Sequence, residues 1–265
     1  MGRRSGAADR RLRAVGATPL TAALQRPYVI AAASLAALFA LLAGLVAAGA
    51  CTGLDQFAVD RLMPGLGHGP VSQEGGLLAG RGFAEVLVPR FREPIDGSVA
   101  ASLSTYIVVL VGAVLPSALI VGGALLVLAR RGRRALAGTL AAAFVAAVAV
   151  EVLAKSLLVR PELHLAGRGG SLVHVIPFDA SFPSGHALRA TLIAICVAVV
   201  WPRLRLVLGA WALAVPVLLV AGGWHTPTDV VAGTVLAGAF AAAAVGAAPL
   251  VEARWPALRP RRSIA

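Results

Sequence analysis

Six apolar runs alternate with polar connections along the chain: Tyr28–Ala50, about Leu103–Ala129, about Leu136–Leu158, about Gly185–Trp201, about Leu206–Gly222 and about Asp229–Val251. Each is close to the ~17–25 residues that cross a hydrocarbon layer at about 1.5 Å per helical residue. A backbone inside lipid must satisfy its own hydrogen bonds, so the runs predict helices. The expected fold class is all-α: an integral membrane bundle of about six transmembrane helices over 28–251, with basic tails at 1–27 and 252–265. After the first run, Leu54, Phe57, Ala58 and Leu62 recur at helical spacing. They predict a short interfacial helix, with an irregular loop as the alternative. Gly65–Gly80 reads as a flexible loop. Ala48-Gly49-Ala50 resembles a signal-cleavage site, but the apolar stretch is too long and the preceding tail too large, so the run is read as a retained anchor.

Composition supports a membrane protein. The 265 residues are 58% hydrophobic and 14% charged, with a mean hydropathy of +0.84. That excludes a disordered chain and disfavours an ordinary soluble domain. The net charge of +12 would suit nucleic acid, but its placement argues otherwise. With six spans, one side holds 16 Arg, in the N-terminal tail, at Arg130–Arg134, at Arg203 and Arg205, and in the C-terminal tail. The opposite loop 51–102 carries four Arg against six acids. The positive-inside rule then makes both termini cytoplasmic. The expected location is the cell (plasma) membrane, and the charge placement leaves no nucleic-acid partner expected. Membrane lipids are the expected surroundings, with anionic headgroups as further contacts of the tails. Cys51 and Cys196 predict unpaired thiols.

Ionisable residues at span ends are costly and are functional candidates. Here they gather on the outer side: Glu151, Lys155 and Arg160 after span three, His186 and Arg189 at the start of span four, His225 and Asp229 at the start of span six. Cations bind phosphate, one imidazole can attack phosphorus and another can protonate a leaving oxygen.

Three strings carry a family resemblance: Lys155-Ser-Leu-Leu-Val-Arg160-Pro161, Phe182-Pro183-Ser184-Gly185-His186 and His225-Thr-Pro-Thr-Asp229. In this order they resemble the signature of the type 2 phosphatidic acid phosphatase (PAP2) superfamily, which includes membrane lipid phosphatases and soluble vanadium haloperoxidases. The resemblance covers about 150–233 and points to the membrane branch. It implies that His225 is a nucleophile forming a phosphohistidine, that Asp229 orients it, and that His186 protonates the leaving alkoxide and later activates water. It also implies that Lys155, Arg160, Ser184 and Gly185 bind the phosphate of a lipid phosphate or diphosphate at the extracytoplasmic face. Residues alone leave simpler readings open. Asp229 suits position N3 of a helix capped by Thr226 with Pro227 at N1, Ser184 suits an N-cap, and Lys155 can pair with Glu151 one turn away.

Two departures from the family pattern stand out. Four residues, not six, separate Lys155 from Arg160, so the two converge only if the helix ends before Arg160; Leu153 occupies the family's Lys position. Leu219 stands where the family has an Arg six residues before the nucleophile. Arg189, three residues after His186, is the expected substitute on the phosphate, with Arg168 as a weaker candidate; alternatively Arg189 snorkels. His164, His174 and Asp179 share the outer loop without metal-ligand spacing, so no metal and no cofactor is expected. The alternatives to a phosphatase are a catalytically weak or inactive homologue that binds lipid phosphate, and a small membrane transporter. Protein partners and oligomeric state are not legible.

Overall fold

The computed structural model describes residues 19–62, 111–166, 172–174, 178, 180–221 and 224–255. Residues 1–18 and 256–265 of the tails, the glycine-rich stretch 65–80, the start of the second run, Arg168 and Asp179 lie outside the described residues; 19–27, expected as tail, are the first turns of a helix. The chain is helical: α1 Pro19–Ala47, α2 Thr52–Leu62, α3 Val114–Arg130, α4 Arg134–Leu157, α5 Gly185–Val200, α6 Arg205–Ala221 and α7 Pro227–Arg254. Two short antiparallel strands, β1 His164–Ala166 and β2 Leu172–His174, were not foreseen; His164 pairs with His174.

Four segments are long and apolar enough to cross a membrane: 25–47 of α1, α4, Pro202–Ala221 and α7. The helices α3 and α5 are equally apolar but shorter, at 17 and 16 residues. The ends of α5 are set by Ser184, whose Oγ accepts from the Ala187 amide at 3.3 Å, and by Pro202, which opens a 3₁₀ turn. The expected helix after the first run is present as α2, with a different buried face. Asp55, Ala58 and Val59 are buried, whereas Leu54 and Phe57 are more than half exposed.

α7 is the centre of the bundle: half of its apolar window is buried, against 6% for α1. Its small residues make this possible. Without a strong hydrophobic drive between helices in lipid, close approach of backbones carries the packing. Gly246 and Gly238 face Tyr28, Val29 and Leu35 of α1. Gly233 sits under the α5 start, where an added Cβ would lie 2.3 Å from the Ser184 carbonyl oxygen. Gly233→Ala is therefore expected to cost about 1–3 kcal/mol. Thermal unfolding of the detergent-solubilised variant measures it; an unchanged midpoint would show that the Ser184 loop can yield.

The α3–α4 turn and the end of α5 meet away from this junction. Arg131, in the α3–α4 turn, donates to the Val200 carbonyl and lies over the Trp201 ring, 5.8 Å from its centroid. The opposite end collects the end of α4 and the starts of α5 and α7, and α2 packs over it. Gln56 of α2 accepts from the His164 amide at 3.0 Å and donates to the His164 carbonyl, which clips α2 to β1. Val59, Leu163 and Phe178 form a small apolar cluster there.

Candidate active site

The start of α7 is dictated locally. Thr226 caps, Pro227 takes N1, and Asp229 at N3 accepts the Thr226 amide on Oδ2 at 3.0 Å. The same Oδ2 lies 3.4 Å from Nδ1 of His225. The capping and the orienting readings of Asp229 thus hold together: one fully buried carboxylate closes the helix and faces the imidazole. With Nδ1 turned to a carboxylate, His225 keeps Nε2 for chemistry. The α5 start is pinned to the α7 start through the Ser184 amide, which donates to the Asp229 carbonyl at 2.9 Å. This brings His186 opposite His225, ring centroids 6.0 Å apart and planes at 55°.

The charged groups around this pair form two buried sets. In one, Arg160 donates from Nη1 to Asp229 Oδ1 at 2.9 Å and from Nη2 to Asp55 Oδ2 at 2.7 Å. Its Nη1 also reaches Ser181 at 3.2 Å and Thr226 at 3.3 Å. In the other, Glu151 takes Lys155 at 3.1 Å on one oxygen and Arg189 on the other. Arg189 further donates from Nε to the Gly112 carbonyl. Asp55 lies in α2, outside the spanning helices. Burial pushes its carboxyl above the ordinary aspartate range, while Thr228 and Arg160 pull the other way.

Residues 134–250, which contain both imidazoles and every member of the two buried charge sets except Asp55, match the family model described as the PAP2 superfamily. The likeness to the PAP2 superfamily spans 117 of the 265 residues. No curated protein and no solved structure matches the chain.

Measured against the PAP2 signature, the structure brings His225, Asp229, His186 and Ser184 together at one junction. It also ends α4 at Leu157, before Arg160, as the shortened spacing requires, but Lys155 and Arg160 then go to different carboxylates. The glycine of the signature, Gly185, lies against the second ion pair: an added Cβ would fall 1.8 Å from Glu151 Oε1 and 2.5 Å from Arg189 Nη2. Arg189, expected as a substitute phosphate ligand, is buried and held by Glu151 and Gly112. Leu219, at the position of the missing Arg, is 1% exposed in an apolar cluster with Ala187, Ala190, Val215 and Val230. Its carbonyl accepts from the Trp224 and His225 amides, so it supports the turn that presents His225. The His164 and His174 rings lie 5.7 Å apart between centroids, tilted by 36°. Among the described residues no His, Cys, Asp and Glu group is arranged to hold a metal ion.

Two residues here were missed by the sequence reading. Gly112 lies where an added Cβ would meet the His186 ring at 2.1 Å, so only glycine lets α5 carry a histidine there. Asp55 is the second carboxylate on Arg160. Its only local signal is an acid on the same helical face as Ala58 and Val59, which are buried.

Proposed function

We propose that the chain is a membrane phosphatase acting on a lipid phosphate or diphosphate, of the phosphatidate or polyprenyl diphosphate type, through a phosphohistidine. The observation that carries this reading is the placement of the two imidazoles 6.0 Å apart with Asp229 behind one of them. That gap suits a tetrahedral phosphoryl group flanked by a nucleophile and an acid.

In the first step His225 Nε2 attacks phosphorus, an N–P bond forms and the P–O bond to the lipid alkoxide breaks. His186 gives its proton to that oxygen. Asp229 stabilises the ring cation that develops on His225. In the second step His186 takes a proton from water, the hydroxyl attacks phosphorus, and the N–P bond breaks to release phosphate. First-turn amides of α5 and the cations Lys155, Arg160 and Arg189 supply the positive field for the transferring group. Four helices long enough to cross a membrane, with the shorter apolar α3 and α5, support a membrane domain, which we read as six spans over 28–251 in the plasma membrane. The site then lies at the outer face, opposite the arginine-rich ends, and the lipid tail stays in the bilayer.

One observation favours a second reading, a PAP2 protein that binds lipid phosphate with slow or no turnover. Lys155, Arg160 and Arg189 are all paired with Glu151, Asp55 or Asp229. Charge already neutralised stabilises a transition state less, and one lost donor typically costs about 10²–10³ in rate. Phosphate release by the detergent-purified protein separates the readings. The expected result on a panel of phosphatidate and polyprenyl diphosphates, with chelator present, is release that EDTA does not affect. Binding without release would select the second reading, and inhibition by EDTA would overturn the metal-free mechanism.

A further inference from the structure

We propose that Asp55 is a positioning residue for the His225–Asp229 pair, acting through Arg160, so that α2 is part of the working site although it lies outside the matched region. The proposal rests on the phosphatase reading above.

The side chain of Asp55 is inaccessible to solvent and all its close contacts belong to the site. Oδ2 accepts from Arg160 Nη2 at 2.7 Å and from the Thr228 hydroxyl, and Oδ1 accepts from the Thr228 amide at 3.2 Å. Thr228 is in the first turn of α7, between the cap and Asp229. One carboxylate therefore fixes both the helix start that carries Asp229 and the cation that grips it. A guanidinium is planar and donates in fixed directions. Held by Asp55 on Nη2, it presents Nη1 to Asp229 Oδ1 at 2.9 Å, which leaves Oδ2 for His225 Nδ1.

Without Asp55, Nη2 loses its charged acceptor and the guanidinium keeps only its Nη1 contacts to Ser181, Thr226 and Asp229. Asp229 keeps the Thr226 amide on Oδ2, but the cation that aligns Oδ1 is no longer fixed from its far side. The same geometry gives Arg160 a role apart from phosphate binding, since both its Nη atoms are committed to protein acceptors. Replacement of Asp55 should leave α2 in place, because Gln56 and Val59 hold it independently.

The test uses full-length protein in detergent, with Asp55→Asn, Asp55→Glu and Asp229→Asn made alone and Asp55→Asn combined with Asp229→Asn. Phosphate release from phosphatidate in mixed micelles gives kcat and KM. Nitrogen chemical shifts of ¹⁵N-histidine report the His225 tautomer, with its resonance identified by its loss in His225→Ala. Asp55→Asn should lower kcat about 10-fold, the lower range for an outer partner of an oriented imidazole, with KM within about twofold. It should also mix the two neutral tautomers of His225. Asp55→Glu should recover part of kcat. The double variant should match Asp229→Asn alone, because both changes break one chain of contacts.

An additive loss in the double variant, a rise in KM at constant kcat, or an unchanged tautomer would overturn the proposal. So would failure of both Asp55 single variants to fold, which would assign Asp55 to stability alone. If the wild-type protein releases no phosphate, the phosphatase reading fails, while the tautomer readout still decides whether Asp55 orients His225.

Discussion

Phosphate release should fall to background in His225→Ala, a loss of up to roughly 10⁶-fold by comparison with other removed nucleophiles. No other group can take the role in place. His186 is the only imidazole within ring-contact distance of His225 among the described residues, and it stands on the opposite side of the gap, 6.0 Å away. The expected consequence for His186→Ala is smaller, about 10²–10⁴-fold, because that variant keeps the nucleophile and loses only proton transfer. Its deficit should shrink for a substrate with an acidic leaving group, which departs without a proton. A trapped phosphohistidine in His186→Ala, absent from His225→Ala, checks the order of the two steps. Equal losses in both variants on every leaving group would remove the division of labour.

Loss of the Arg160 guanidinium should have the largest effect on stability. Its two Nη atoms join Asp55 and Asp229, and both carboxylates are fully buried. Arg160→Ala leaves two carboxylates without a cation, and breaking a buried pair in this way costs about 3–5 kcal/mol. Arg160→Lys should recover only part of this, since one ammonium cannot span two acceptors in a fixed fork. Thermal unfolding in detergent reads the effect. A wild-type midpoint in Arg160→Ala would mean that Asp55 and Asp229 are held by their hydroxyl and amide donors alone.

The helices and the signature strings could be read from the chain because their causes are local. Apolar run length sets α1, α4, α6 and α7, and Ser184, Pro202, Thr226 and Pro227 mark the limits of α5, α6 and α7 within the sequence itself. The cap at Thr226 even foretold how Asp229 would sit. What escaped depended on partners far away in the chain. The stripe Leu54, Phe57, Ala58 and Leu62 signalled a helix correctly but not its inner face. That face is chosen by Arg160, 105 residues from Asp55, which draws the carboxylate inward and leaves Leu54 and Phe57 exposed. The assignment of Arg189 to phosphate failed to anticipate Glu151 as its partner, because a single carboxylate one turn from Lys155 looked already satisfied. Nothing in the composition around Gly112 distinguishes it from the other glycines of the spans.

The pairing of Lys155, Arg160 and Arg189 with Glu151, Asp55 and Asp229 leaves three positive and three negative side chains in contact. Such a centre casts little field beyond a Debye length of ~8 Å into solution. It cannot steer anions out of bulk water as a basic cleft does. On the proposed phosphatase reading, capture then depends on lateral diffusion of a substrate already dissolved in the bilayer. Raising ionic strength should leave kcat/KM nearly flat, whereas diluting the substrate within the membrane plane should lower the rate in proportion.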